Sequence, residues 1–155
     1  MLFLTTNFSY LFLFTTFQKS TTPAGTGAFK DIEKMSKVGA PHARVKLSIE
    51  ARGLASMDWT SKSDPMAFLF AVADDGRETL IGNTEWIKNK TDVKWSTLIE
   101  AEYHFERKQK LIFKVMDVDN AKDPLNGGAQ EIGHAEATMS KVLMIVRNFY
   151  EQSTR

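Results

Sequence analysis

The segment 109–119, QKLIFKVMDVD, sets the fold that we expect for this chain. Side chains on a β-strand alternate between two faces, and one face of this segment is apolar throughout. That face consists of Leu111, Phe113 and Val115. The apolar run then closes on two carboxylates, Asp117 and Asp119. The segment therefore predicts a strand whose end carries acidic oxygen donors.

Several other segments have strand patterns and are separated by turn signals such as Asp74-Asp75-Gly76. Residues 43–50 alternate between apolar and polar side chains, whereas residues 66–72 are apolar on both faces and suit an interior strand. The remaining strand-like segments are 78–86, 95–105 and 132–139. No strong helical period precedes Ser140. We therefore predict an all-β protein with an antiparallel sandwich.

Length and composition limit the range of functions. With 155 residues and 43% hydrophobic content, the chain is long enough for one buried core and too short for two ordinary domains. The 20 basic and 19 acidic residues leave a net charge of +1, which argues against a dedicated nucleic-acid binder. The sequence contains no cysteine, so disulfides and thiolate zinc sites are excluded.

The N-terminal segment differs from the rest in composition. Residues 1–17, MLFLTTNFSYLFLFTTF, carry no charge, but they lack the basic start of a signal peptide and the apolar length of a spanning helix. We therefore expect residues 1–34 to be a leader that is disordered or not part of the native protein. Residues 35–142 are then the folded domain, and residues 143–155 form a tail.

A second acidic stretch is expected to meet the first. Residues 57–65, MDWTSKSDP, place Asp58 and Asp64 in a loop that enters the strand 66–72. Two strand ends followed by acidic oxygen donors, about fifty residues apart, could form a cup for a hard cation. Calcium is the natural candidate because it takes six to eight oxygen ligands and tolerates irregular loops.

These segments together resemble the first C2 domain of the copines. The resemblance depends on 61–65, SKSDP, after Asp58 and on 109–119, with 83–89, NTEWIKN, and 95–105 in the same order between them. It covers roughly residues 43–142 and implies a C2-type β-sandwich that binds calcium and phospholipid. Copine C2 domains continue with two further strands that residues 143–155 do not resemble. The sequence leaves open whether those strands are lacking, and it predicts an irregular or helical tail.

The resemblance also implies the ligands of a calcium site between loops at one end of the sandwich. Four carboxylates carry over, together with the backbone carbonyls of two neighbouring residues; these are Asp58, Asp64, Asp117 and Asp119, then Met57 and Val118. A fifth carboxylate of the family is replaced here by Gln130, which brings an oxygen but no charge. We therefore expect weaker calcium binding or fewer ions, unless Glu131 or Asp123 also contributes.

Contact with a membrane is expected at the tips of the same loops. Trp59 and Leu125 are candidates for insertion into the bilayer, although Trp59 could instead pack beneath its loop. A basic face that would hold phosphoinositides is a further candidate, with solvated lysines as the ordinary alternative. It consists of Lys88, Lys90 and Lys94.

Catalysis has no support in the sequence. The three histidines share no metal-ligand spacing, and no nucleophile motif such as G-x-S-x-G is present. The predicted function is calcium-dependent binding to anionic phospholipid membranes by a cytoplasmic protein that is recruited to the plasma membrane when calcium rises. The alternative is a calcium-independent protein-interaction module of the same fold, and protein partners are open in either case.

Overall fold

The computed structural model describes residues 8–16, 42–56, 62–126 and 128–144. Within these residues the chain forms eight strands and one helical turn at residues 139–144. In chain order the strands are β1 (Phe8–Thr16), β2 (His42–Leu54), β3 (Pro65–Val72), β4 (Glu78–Asn83), β5 (Val93–Lys94), β6 (Ile99–His104), β7 (Lys110–Asp117) and β8 (Gln130–Thr138).

The strands form two four-stranded sheets in which the paired strands are antiparallel. In the first sheet, β2 pairs with β1 along one side and with β5 and β6 along the other. The second sheet has the order β4-β3-β7-β8. The predicted all-β antiparallel sandwich is confirmed.

The core lies between the two sheets, because the inward residues of each strand are apolar. From β2 they are Val45, Leu47 and Ile49, and each has no exposed surface. From β7 they are Leu111, Phe113 and Val115, and each is 1% exposed. These are the residues that the period-two patterns placed on a single face. The pattern therefore identified which side of each strand meets the other sheet.

A smaller apolar cluster lies apart from the main core. Its buried members are Met66, Phe68 and Val118, and Trp86 packs against them. Phe68 is buried although it lies on the strand face opposite to Leu69, which belongs to the main core. This agrees with the prediction that residues 66–72 form an interior strand with two apolar faces.

Part of the N-terminal segment is extended and paired with the first sheet. Nine of its residues, Phe8–Thr16, form β1 and pair with β2 from Leu54 to Lys46. Extended apolar residues are suited to an open sheet edge, because the edge offers unpaired backbone groups. The rest of residues 1–34 lies outside the described part of the chain, and the division into leader, domain and tail stays a prediction.

The end of the described chain is helical rather than extended. Residues 139–144 follow β8 directly; Met139 and Val142 belong to the core, and Met144 is 65% exposed.

No helix among the described residues has both the length and the apolar content needed to span a membrane.

Candidate metal site

The register of β3 against β7 brings two predicted acidic loops together. Pro65, the first residue of β3, lies opposite Asp117, the last residue of β7. Asp64 precedes Pro65 and therefore lies at the end of the sheet where β7 finishes. Asp64 and Asp117 are neighbours for this reason, although 53 positions separate them in the sequence.

Hydrogen bonds fix this contact on both sides of Asp64. The backbone N–H of Asp64 donates to Oδ1 of Asp117 at 2.7 Å, and the backbone N–H of Val118 donates to the Asp64 carbonyl at 3.1 Å. Asp117 is 8% exposed as a whole residue, so little of it is in contact with water and its carboxylate benefits from polar partners in the chain. The pairing therefore holds the two acidic segments at a set distance from each other.

Ser63 anchors the same loop to the other sheet. It is 1% exposed, and its hydroxyl donates to the carbonyl of Ala55 at 2.8 Å, just beyond the end of β2. A buried hydroxyl with a backbone partner is a local constraint on the chain, because losing the partner would leave a polar group unsatisfied. Residues 62–64 are thus attached to both sheets.

The segment 87–90 forms a third support for the acidic loop. The backbone N–H groups of Ile87 and Lys90 donate to the carbonyls of Pro65 at 3.2 Å and Ser63 at 3.0 Å. Between them, the N–H of Asn89 donates to Oδ1 of the Asp64 carboxylate at 2.7 Å. The Asp64 carboxylate therefore has a defined orientation.

The other predicted ligands lie at the same end of the second sheet. Gln130, the first residue of β8, is opposite Asp117 in the register of β7 and β8. Asp119 follows two residues after Asp117 and is exposed. Its carboxylate lies beside Gly128, where a Cβ atom would stand 3.4 Å from Oδ2. Gly128 also has a φ of +93°, which glycine adopts without strain.

The described residues contain only part of the predicted ligand set. Met57, Asp58 and Trp59 lie in 57–61, outside the described residues, so their roles stay predictions. In the described part of the chain, no group of three or more histidine, cysteine or acidic residues is close enough to hold a metal ion. The structure thus brings together Asp64 and Asp117 and places Gln130 opposite Asp117. Asp119 is exposed and lies beside Gly128.

The chemistry of this donor set can be compared with what calcium requires. Every candidate ligand is an oxygen, and two are carboxylates in adjoining loops; these features fit a hard cation. One oxygen of Asp64 and one of Asp117 accept backbone hydrogen bonds, while the second oxygen of each has no hydrogen-bond partner among the described residues. Those second oxygens are therefore the atoms of Asp64 and Asp117 that remain available to a ligand.

The candidates for membrane contact lie on different elements of the fold. Leu125 is 42% exposed in the loop between β7 and β8. Lys88 and Lys90 are exposed, and the Lys88 ammonium lies 4.3 Å from the centre of the Trp86 ring. Lys94, in β5, lies opposite Glu50. The three lysines therefore do not share one environment.

Glu85 is an acidic residue with a structural role that the sequence did not indicate. Its carboxylate accepts hydrogen bonds from the backbone N–H of Ser96 at 2.6 Å, the hydroxyl of Ser96 at 2.8 Å and the N–H of Thr97 at 3.0 Å. Burial raises the pKa of Glu85, but the hydrogen bonds from Thr97 and Ser96 outweigh it and lower the pKa to about 2. Glu85 thus ties the chain after β4 to the chain before β6.

Sequence reasoning also missed Ser63 and Asn89 as supports of the acidic loop. A serine beside an aspartate is common in turns, so Ser63 carried no signal of burial. Asn89 has a φ of +56°, and asparagine tolerates this left-handed conformation better than most residues. The run Asn89-Lys90-Thr91-Asp92 between strand-like segments was the available signal for a turn there.

Comparison with known proteins identifies the family. The C2 domain family matches residues 44–151. Copine-A of Dictyostelium discoideum is 34% identical over 103 residues, which cover 66% of this chain and 16% of that protein. Protein BONZAI 1 of Arabidopsis thaliana is 30% identical over 107 residues, which cover 65% of this chain and 18% of that protein.

A solved structure, BON1-C2B, supports the same fold. Its TM-score against this chain is 0.51 at 22% sequence identity, and the match covers 75% of this chain and 73% of that one. The chain spans less than a fifth of the length of Copine-A and BONZAI 1, which limits the comparison to one domain of those proteins. Because the family match extends over more than half of the sequence, this chain belongs to the C2 domain family.

Proposed function

We propose that this chain binds anionic phospholipid membranes in response to calcium, and that its domain corresponds to the first C2 domain of a copine. The observation that carries the proposal is the hydrogen bond between Asp64 and Asp117. The backbone N–H of Asp64 donates to the Asp117 carboxylate at 2.7 Å, although 53 positions separate the two residues. A purely local turn does not need a carboxylate from a distant strand. The family similarity supports the same reading.

Charge explains how the acidic loops would control membrane contact. Neighbouring carboxylates repel one another and also repel anionic lipid headgroups. When bound, calcium would supply positive charge and coordination positions that accept lipid phosphate oxygens. Asp64 and Asp117 would hold the ion, together with Asp58, Asp119, Gln130 and the carbonyls of Met57 and Val118.

Apolar side chains near the loops would add to the binding. The exposed Leu125 and the loop residue Trp59 are proposed to enter the bilayer interface, where an aromatic ring suits the boundary between headgroups and acyl chains. Lys88 and Lys90 are proposed to contact phosphoinositide headgroups, with Lys94 as a weaker candidate because of its place opposite Glu50. In a cell, the chain would be cytoplasmic and move to the plasma membrane when calcium rises.

Sedimentation with vesicles of phosphatidylserine and phosphatidylcholine tests the proposal. The full chain should pellet with calcium and stay in the supernatant with a chelator. Asp117→Asn should raise the calcium concentration needed by about tenfold or more, because it removes one charged ligand. Asp75→Asn, in a distant acidic turn, is the matched control and should behave as the wild type.

The same assay distinguishes the alternative function. Equal pelleting with and without calcium, or none in both, would favour a calcium-independent protein-interaction module. Trp59→Ala and Leu125→Ala then test insertion: each should weaken vesicle binding and leave calcium affinity unchanged. For Trp59 the expected loss is ~1–3 kcal/mol. Loss of folding in Trp59→Ala would instead place the ring in the core.

A further inference from the structure

Asn89 is the one residue other than glycine with a positive φ in the described part of the chain. At +56° its backbone is in the left-handed region, which costs most L-residues free energy and which asparagine and glycine tolerate best. Such a conformation persists where the surrounding contacts require it.

Two polar groups of Asn89 contact the acidic loop, one from the backbone and one from the side chain. Its backbone N–H donates to Oδ1 of Asp64 at 2.7 Å, and its side-chain Oδ1 accepts the backbone N–H of Lys62 at 3.2 Å. The neighbouring Lys90 N–H donates to the carbonyl of Ser63 at 3.0 Å. One short segment thus makes hydrogen bonds to three consecutive residues of the loop.

The bond to Asp64 has a specific consequence for that carboxylate. Because Oδ1 accepts the Asn89 N–H, rotation of the carboxylate is restricted and Oδ2 is held in one direction. The backbone of Asp64 is fixed independently, through its N–H to Asp117 and its carbonyl to Val118. Asn89 therefore controls the orientation of the side chain rather than the position of the backbone.

We propose that Asn89 is a positioning residue for calcium: its left-handed backbone directs its N–H at Asp64 and preorganises that carboxylate as a ligand. The proposal rests on the proposed calcium function of the same loops. Preorganisation raises affinity because the side chain is already ordered before the ion arrives, so less entropy is lost on binding. No contact between Asn89 and the ion is required.

Two substitutions separate the backbone role from the side chain. Asn89→Gly keeps the left-handed conformation and the N–H, and should bind calcium within about threefold of the wild type. Asn89→Val disfavours that conformation, so its N–H should turn away from Asp64 and calcium affinity should fall about tenfold. Titration calorimetry with calcium chloride on the full chain measures both.

Gly76→Val is the matched control for general strain. Gly76 has a φ of +84° in the turn between β3 and β4, at the other end of β3 from Asp64, and a Cβ there would meet no atom within 4 Å. Valine at this position should therefore lower stability through the same backbone strain as Asn89→Val. Its calcium affinity should match that of the wild type. Equal losses of affinity in the two valine variants would overturn the positioning role.

A readout without calcium tests the contact itself. Amide hydrogen exchange at Asn89 should be slow in the wild type and in Gly76→Val, and clearly faster in Asp64→Ala, which lacks the acceptor. Fast exchange in the wild type would overturn the inference, because the hydrogen bond would then not persist in solution.

The combined results also distinguish this inference from the proposed function. If the wild type binds calcium and Asn89→Val binds it equally well, the positioning role is wrong and the calcium function stands. If the wild type does not bind calcium, the calcium function fails and the positioning role fails with it. A loss confined to Asn89→Val, together with slow exchange at Asn89 in the wild type, supports both.

Discussion

The two ends of β3 carry acidic residues in different settings. In the exposed turn that follows the last residue of β3, the Asp75 carboxylate accepts hydrogen bonds from the backbone N–H of Arg77 at 3.0 Å and from the Arg77 guanidinium at 2.9 Å. Backbone and side-chain hydrogen bonds from Arg77 lower the pKa of Asp75. At its start, Asp64 contacts residues that are 25 and 53 positions away, and none of those contacts comes from a cation.

The two ends differ in what neutralises the acidic charge. Asp75 is satisfied by its own turn, so its charge is neutralised locally and nothing else is needed. Asp64 and Asp117 are oriented by backbone N–H groups, which fix the carboxylates without cancelling their charge. Two acidic residues in adjoining segments, with no cation paired to either in the described part of the chain, are a suitable arrangement for a divalent cation.

The largest expected effect is on calcium affinity, when acidic charge is removed at the Asp64 end of β3. Asp64→Asn with Asp117→Asn should lower calcium affinity by about 100-fold or more, since two charged ligands are lost at about tenfold each. Asp74→Asn with Asp75→Asn removes the same charge from the turn and should leave affinity unchanged. Calorimetric titration measures both; similar values for the two double variants would remove the distinction between the ends.

Calcium should also stabilise the protein, and this gain should depend on the Asp64 end of β3 and not on the Asp75 turn. At a calcium concentration 100 times the dissociation constant, the free energy of unfolding should rise by about 2.7 kcal/mol, because the ion binds the folded state. Thermal unfolding with calcium and with chelator measures this rise. The gain should remain in the turn double variant and disappear in the Asp64 and Asp117 double variant; a gain in the latter would place the ion elsewhere.

Glu85 provides an intermediate case, an acidic residue whose long-range contacts are structural. Glu85→Gln should destabilise the fold by roughly 1 kcal/mol at neutral pH, the value for charge-assisted hydrogen bonds reduced by solvent screening. The folded-state pKa is lowered from 4.5 to about 2, so the stabilisation is full above pH 4.5 and is lost as the pH falls towards 2.

Urea unfolding between pH 7 and pH 2 measures this difference. The wild type and Glu85→Gln should converge in stability at the acidic end. A constant gap across that range would show that ionisation of Glu85 is not the cause. Calcium affinity should be the same in both proteins, because the carboxylate is directed at Ser96 and Thr97.

The smallest effect is expected at the turn. Asp75→Asn should leave the urea midpoint unchanged within error, because the ion pair with Arg77 is exposed on both sides, with side-chain exposures of 58% and 77%. A clear loss of stability would mean that this turn, too, contributes more than local chemistry.

Much of the fold could be predicted because its signal is local. The alternation of Val45, Leu47 and Ile49, and of Leu111, Phe113 and Val115, identified core faces that the structure confirms. The role of Phe8–Thr16 was not predictable in the same way. An uncharged apolar segment has no period that specifies a partner, and pairing with β2 depends on an edge that exists only after the sheet has formed.

The candidate site was predictable as a set of residue types, since aspartates at the ends of two strands are visible in the sequence. Its geometry was not. Ser63 and Asn89 are ordinary turn residues until the register of β3 against β7 places Asp64 beside Asp117. In the described part of the chain, no three acidic residues lie close enough together to hold a metal ion, and the spacing of these residues in the sequence did not indicate this.

By itself, the sequence determined the class of fold, the inward face of each main strand and the acidic character of two loops. These properties follow from side-chain periodicity and composition, which act over a few residues. Only the tertiary structure decided that β1 covers an edge of β2, that Asp64 joins Asp117, and that Asn89 orients the Asp64 carboxylate. Each of these depends on strand register, and register is set when distant segments pack together.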